Sequence, residues 1–333
     1  MLIEIAEASQ AGEARRRAVE YAEDLKIEEN MRGEIALATT EIATNLVKHA
    51  GKGHILLQRI PHNGHPGMRV MGVDKGPGIT DVPRALSDGH STAGSMGTGL
   101  GIVRRVSREF DLYSTPGSGT IVSAAFVPAE SAKMLSESPL KIGVVSEPIA
   151  GETECGDGWG TRVLADSVTC MVVDGLGHGV LAAEAAREAE KILASTKETS
   201  PSNILRDMHD ALKKTRGAAA AIARIDLIRR LVIFAGVGNI SATVVAPDTR
   251  RGLASHNGTL GHHIGRSQEF TVPWNRDNIL IMHSDGLSTR WDLDKYPGIR
   301  SKDPGMIAAV LHRDFSRLRD DVTVLVAKAP SLT

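Results

Sequence analysis

Residues 161–180 read TRVLADSVTCMVVDGLGHGV. The stretch up to Val173 is rich in β-branched side chains, which predicts strand. Asp174-Gly175 closes it, and the glycines at 175, 177 and 179 lead into a helical pattern over 179–196. A carboxylate therefore stands at a strand end. Three more segments carry carboxylates in similar settings: Cys155-Gly156-Asp157, His283-Ser284-Asp285-Gly286-Leu287 and Asp320-Asp321-Val322-Thr323. Any one of them alone reads as an ordinary turn. Together, three of the four at the edges of apolar runs, they gather carboxylates that repel unless cations lie between them. All-oxygen donor sets select Mg²⁺ or Mn²⁺ over zinc. Two such ions can activate a water and clamp a phosphoryl oxygen. Gly175 can offer its carbonyl because no side chain obstructs the approach.

Around this motif, the chain from Leu140 onward reads as strands (KIGVVSEP, TRVLADSVTCMVVD), two helices (179–196, 201–214), four strands (AAIARIDL, RLVIFAGV, ISATVVAP, NILIMHSD), a helix near 303–313 and a last strand, 322–328. That order predicts an α/β sandwich with mostly antiparallel sheets. Residues 131–139 read as a linker, dividing the chain into domains 1–130 and 140–330. The first domain reads as a strand (2–7), helices (11–25, 31–49), strands (54–60, 68–74), a helix (99–109) and two strands (110–114, 120–126).

Three boxes punctuate that first domain. In Glu41-Ile-Ala-Thr-Asn45-Leu-Val-Lys-His49-Ala50, positions 41, 45 and 49 run roughly along one helical face. An Asn carbonyl is a suitable hard-cation ligand, and a carboxylate one turn earlier can act as a base. Asp74-Lys-Gly76-Pro-Gly78-Ile79 follows a strand. Its carboxylate can accept from an exocyclic amine such as that of adenine, and its glycines let backbone approach the base. The third box, Ser91-Thr-Ala-Gly-Ser-Met-Gly97-Thr98-Gly99-Leu100-Gly101, runs into a helix. Backbone N–H groups at such a start cradle phosphates.

The three boxes, in this order, resemble the helix box and glycine boxes of the GHKL (Bergerat) ATPase and kinase superfamily. EIATNLVKHA (41–50) and ALSDGHSTAGSMGTGLGIVRRV (85–106) resemble its small anti-sigma serine kinases of the RsbT type. The resemblance implies Glu41 as catalytic base and Asn45 as Mg²⁺ ligand. It implies that Asp74, Gly76 and Gly78 hold adenine, and that Gly97, Thr98, Gly99, Leu100 and Gly101 wrap the phosphates of ATP. The second half resembles the SpoIIE-type phosphatases, relatives of the protein phosphatase 2C group, and its opening IGVVSEPIAGETECGDGW is similar to the RsbX type. This implies a β-sandwich flanked by helices, with two Mn²⁺ or Mg²⁺. Asp174 would bridge them, the Gly175 carbonyl, Asp285 and Asp320 would complete the set, and Asp157 would lie close by. Asp321 is the other candidate of its doublet, and Asp320 is favoured. His178 reads as either loop-shaping or catalytic.

Formal net charge is −1 and pI about 6.9, which argues against nucleic-acid and membrane partners. Two cysteines without zinc spacing, no uncharged apolar run of bilayer length and a start lacking a signal-peptide pattern predict a cytoplasmic protein. His262-His263 and Arg15-Arg16-Arg17 read as solvated surface. The resemblances imply an α+β chain of two α-β sandwiches that phosphorylates and dephosphorylates STAS-domain proteins, and so acts on a downstream sigma-factor regulator. The alternative is a phosphatase whose first domain binds ATP and sequesters a partner without kinase activity.

Overall fold

The computed structural model describes residues 1–60, 67–86, 99–128, 138–265 and 268–330. The chain divides into two compact units, Met1–Ser138 and Pro139–Thr333.

In the first unit, β1 (Leu2–Ile5), α1 (Gln10–Asp24) and α2 (Glu29–Asn45) are followed by a π turn, Leu46–Ala50. Then come β2 (Gly53–Ile60), β3 (Gly67–Val73), α3 (Val82–Leu86), α4 (Gly99–Val106), β4 (Glu109–Ser114) and β5 (Thr120–Phe126). The strands form one antiparallel sheet in the order β1-β2-β3-β5-β4. Small side chains let the helices lie close: Ala14, Ala18 and Ala22 of α1 and Ala38 and Ala43 of α2 are buried with Ile5, Ile55, Val70 and Val122 of the sheet. Gly72 marks the tightest point. A Cβ there would stand 2.2 Å from Ile42 Cγ2, so α2 rests on the β3 backbone itself.

The second unit runs β6 (Lys141–Glu147), β7 (Asp157–Val163), β8 (Ser167–Gly175), α5 (Val180–Ser195), α6 (Pro201–Ala211), β9 (Ala218–Asp226), β10 (Leu231–Val237), β11 (Ser241–Val245) and β12 (Arg250–Leu253). It continues through β13 (Gly258–Thr259), β14 (His263–Ile264), β15 (Phe270–Pro273), β16 (Ile279–His283), α7 (Pro304–Phe315) and β17 (Val322–Lys328). Two five-stranded antiparallel sheets, β15-β10-β9-β8-β7 and β12-β11-β16-β17-β6, share a core that includes Val168, Val172, Phe234, Leu280 and Leu325. The outer face of the first sheet is covered by α5 and α6 through Ala185, Ala189, Leu205 and Met208. α7 packs on β6 and β17. The caps follow local chemistry: Pro304 opens α7 while the Asp303 carboxylate accepts from Gly305 N–H at 2.8 Å.

The stretch 257–265, read from sequence as a surface loop, is tied down instead. It carries the β13–β14 pair, and Leu260 is buried and pairs with Ala218. No helix among the described residues is long and apolar enough to cross a membrane.

Candidate functional site

In the second unit, β7 begins at Asp157 and β8 ends at Asp174-Gly175, and Asp157 pairs with Asp174 across the ladder. Directly opposite like charges repel. β16 delivers Ser284-Asp285 from its end, and β17 is entered through Asp320-Asp321. All four strand ends meet at one edge of the sandwich. Ser284 stitches them: its hydroxyl donates to Asp157 Oδ2 at 2.6 Å and accepts from Thr323 N–H at 2.9 Å.

The electrostatics record this convergence. Burial raises Asp174 to about 7, with the charges of Asp285, Asp320 and Asp321 adding to the effect. Burial, then the charge of Asp174, holds Asp157 well above the ordinary carboxylate range. Asp320 is raised by its partial burial and by Asp285. Asn239, in the turn after β10, offsets part of the repulsion. Its amide donates to Asp285 Oδ2 at 2.7 Å and also hydrogen-bonds Asp174. Sequence reasoning missed Asn239, because Gly238-Asn239 after an apolar strand has the composition of any turn.

The doublet separates by geometry. Asp321 is buried, and its two oxygens accept from Ile149 N–H at 2.7 Å and Gly156 N–H at 2.8 Å. Asp321 thereby anchors the 149–156 loop. Asp320 is exposed, and of the doublet its charge acts on Asp174 more strongly than that of Asp321. Gly175 packs its backbone on Ala182 and Gly156, where a Cβ would lie 2.2 Å from Ala182 O. His178 Nδ1 is 2.6 Å from Glu152 Oε1, a bond that ties two loops together. The Cys155 thiol is pushed up by burial and by Asp157, which leaves it inert.

In the first unit, α2 ends at Asn45, and the ladder loosens into the π turn, a feature common near functional sites. His49 lies in that turn and is exposed. Gly99, the first residue of α4, faces the helix box: a Cβ there would be 2.9 Å from Glu41 Oε2 and 3.5 Å from Asn45 Nδ2. Glu41, Asn45 and the start of α4 therefore share one locality. Leu100 packs against the core and Gly101 is buried, whereas Gly97 and Thr98 lie outside the described residues. Asp74 Oδ1 accepts from Gly76 N–H at 2.8 Å and Thr120 N–H at 3.1 Å, which fixes the half-buried carboxylate at the end of β3. Gly76 lies against Ala50, and Gly78 (φ +72°) passes within reach of Thr115 O, so neither position admits a side chain without movement.

The histidine kinase-like ATPase domain family matches residues 5–126. The serine/threonine-protein kinase RsbT of Bacillus subtilis (strain 168) is 40% identical over 90 residues, covering 27% of this chain and 68% of RsbT. The chain belongs to the histidine kinase-like ATPase family. The stage II sporulation protein E (SpoIIE) family matches residues 165–330. Phosphoserine phosphatase RsbX of the same strain is 27% identical over 155 residues, 45% of this chain and 73% of RsbX. A solved structure of the bacterial stressosome, described as a modular system that has been adapted to control secondary messenger signaling, has TM-score 0.54 and 28% identity. It covers 57% of this chain and 99% of its own. The chain thus joins an RsbT-like ATPase domain to a SpoIIE domain of the protein phosphatase 2C fold.

Phosphatases of this fold use Mg²⁺ or Mn²⁺, and the donor chemistry of the SpoIIE domain fits such ions. Its convergent side chains are carboxylates, with no thiolate or imidazole among them, and their raised affinity for protons is a raised demand for positive charge. Among the described residues no three Asp, Glu, His or Cys side chains form a ready-closed cage. Asn239, by bonding both Asp174 and Asp285, sets the spacing of the cluster. The ATPase domain likewise fits a nucleotide, since Gly99 keeps side-chain bulk away from Glu41 and Asn45 at the start of α4.

Proposed function

We propose that this chain is a bifunctional regulator of a partner-switching circuit, writing phosphate on a serine or threonine of a STAS-domain protein and erasing it. The carrying observation is the union, in one chain, of a domain similar to a serine kinase and a domain similar to a phosphoserine phosphatase. The likeness to a stressosome structure supports the same class of circuit. On this reading the chain works in the cytoplasm, with MgATP in the first domain and two Mn²⁺ or Mg²⁺ in the second.

In the writing reaction, the acceptor hydroxyl oxygen bonds to the γ-phosphorus of ATP. The bridging P–O bond breaks, ADP leaves, and Glu41 takes the hydroxyl proton. Asn45 holds the cation, Asp74 accepts from adenine, and the start of α4 receives the phosphates through its backbone N–H groups. In the erasing reaction, a water oxygen bonds to phosphorus, the ester P–O bond breaks, and the alcohol leaves with a proton while inorganic phosphate is released. Divalent cations, when bound, would supply positive charge to offset the carboxylates and the phosphoryl group and would make the attacking water more acidic. Asp174, the Gly175 carbonyl, Asp285 and Asp320 hold them, Asn239 keeps Asp174 and Asp285 in register, and Asp157 is oriented by Ser284. Leu176, Val180 and Leu181, exposed by 43%, 57% and 49%, form an apolar shelf beside Asp174 that suits a protein surface.

The test uses the full chain with ATP, Mg²⁺, Mn²⁺ and a STAS protein captured with it. The wild type settles at partial phosphorylation. Asp285→Asn accumulates phosphoprotein, and Glu41→Gln, which removes a base worth about 10²–10⁴-fold in rate, leaves the partner dephosphorylated. If Asp285→Asn yields no phosphoserine or phosphothreonine, the first domain only binds ATP and sequesters its partner, and the bifunctional reading fails.

A further inference from the structure

The glycine-rich loop that follows Asp174 has a neighbour that the carboxylate cluster does not use. Gly177 (φ +88°) lies under a guanidinium: a Cβ there would stand 3.0 Å from an Nη of Arg216. The carbonyl of Gly177 in turn faces Gly156, which immediately precedes Asp157 and is held by Asp321. Arg216 therefore stands against the loop that joins Asp174 to α5, a loop that touches Gly156 on its other side.

Its backbone is fixed from two sides. Leu176 N–H donates to Gly217 O at 3.0 Å, joining the 215–217 turn to the loop after Asp174. His262 Nε2 bonds the Arg216 carbonyl at 2.8 Å, so the pinned 257–265 segment holds the same turn from behind. The side chain is another matter. It is exposed, and among the described residues its guanidinium has no hydrogen-bond or ion-pair partner. Two acids of the 149–156 loop are paired with other side chains, Glu152 with His178 and Glu154 with Arg187. A cation held against the loop that follows Asp174, with no protein anion of its own, has the chemistry to receive an anionic ligand. A planar fork of donors matches the oxygens of a phosphoryl group.

We propose that Arg216 is the phosphate-recognition residue of the SpoIIE domain, donating to the non-bridging oxygens of a phosphate monoester and of the inorganic phosphate it yields. The proposal rests on the phosphatase reading above. Two divalent cations would do no more than balance the four carboxylates of Asp157, Asp174, Asp285 and Asp320, so a bound phosphoryl dianion would need a counter-charge from elsewhere, which Arg216 can provide. The 257–265 segment is then part of the site's architecture, because it sets where the guanidinium begins.

The experiment uses the full chain and the variants Arg216→Ala and Arg216→Lys. p-Nitrophenyl phosphate is the substrate at saturating Mn²⁺, with inorganic phosphate as product inhibitor. Arg216→Ala raises both the KM and the inhibition constant for phosphate about tenfold, the loss expected for a charge-assisted bond. Arg216→Lys recovers part of it, because charge remains and the fork does not. The Mn²⁺ concentration for half-activation is the same in all three. Unchanged KM and phosphate inhibition in Arg216→Ala overturn the proposal. So does a loss accompanied by a shift in Mn²⁺ activation, since Arg216 would then merely shape the loop that carries Asp174. Calorimetric titration of the Mn²⁺-loaded chain with phosphate separates the two readings. A wild type that binds phosphate more tightly than Arg216→Ala, yet has no turnover, keeps Arg216 and refutes the phosphatase. A wild type that neither turns over nor binds phosphate refutes both.

Discussion

Asp320 and Asp321 are neighbours in sequence in opposite surroundings, one exposed and one buried. Asp321 is enclosed and accepts two backbone N–H bonds, so an Asn there presents an amide NH₂ to a donor and strands it. Asp321→Asn is expected to cost about 1–3 kcal/mol in urea unfolding of the second unit. Asp320 is exposed and holds up none of that loop. Asp320→Asn is expected to leave the unfolding midpoint within error and to lower phosphatase turnover at least tenfold. The reverse pattern would exchange their roles.

Asp174 makes a separate prediction about pH. Its value rises from 3.8 to about 7 on folding, chiefly through burial. Between those values the folded chain binds more protons than the unfolded one, so stability falls as pH rises from about 4 to about 7 and levels off above. Asp157 shifts the same way. In EDTA, the melting temperature of the second unit should fall across that window, by an amount on the order of a few kcal/mol in free energy. Mn²⁺ at pH 8 should restore it, and Asp174→Asn should flatten both responses. A metal-free melting temperature that climbs from pH 4 to 7 would contradict the burial of this cluster.

At the scale of elements, α2 and β3 show what a side-chain pattern conceals. The strand and helix periods located both, but nothing in the spacing said that Gly72 is where they touch. Gly72→Val drives its methyls into Ile42 and is expected to cost about 1–3 kcal/mol. Gly72→Ala with Ile42→Ala should lose less than the sum of the single changes, because the two positions share one space. Equal additivity in thermal melts would mean α2 does not rest there.

The same contrast explains what the sequence made legible. Most long strands and helices named from periodicity are present, but the run 161–174, read as one strand, turns at 164–166, so that its start ends β7 and its remainder is β8. The short β12 to β15 went unseen: two to four residues carry no period, and what positions them is pairing with distant chain, as when Leu260 meets Ala218. At the candidate site, the convergence of Asp157, Asp174, Asp285 and Asp320 was readable because three of their four segments adjoin apolar runs. Asn239 and Arg216 were not, since each lies in a turn of ordinary composition and gains its meaning only from what folds against it.

For the whole molecule, the proposed bifunctional reading of an RsbT-type domain and a SpoIIE domain in one chain would mean that opposed activities are made in fixed one-to-one ratio. Their balance is then set by nucleotide, by divalent cation and by partner, rather than by the relative amounts of two proteins. That account depends first on the second domain being a metal-dependent phosphatase whose ions sit on Asp174. The direct measurement is hydrolysis of p-nitrophenyl phosphate by the full chain, titrated with Mn²⁺ and with EDTA, in wild type and Asp174→Asn. The account predicts turnover that requires Mn²⁺ or Mg²⁺, vanishes in EDTA and drops at least a hundredfold in Asp174→Asn, roughly the scale on which metal-assisted steps fail when ligands are lost. Turnover that survives EDTA, or an Asp174→Asn variant that works at the wild-type rate, would contradict it.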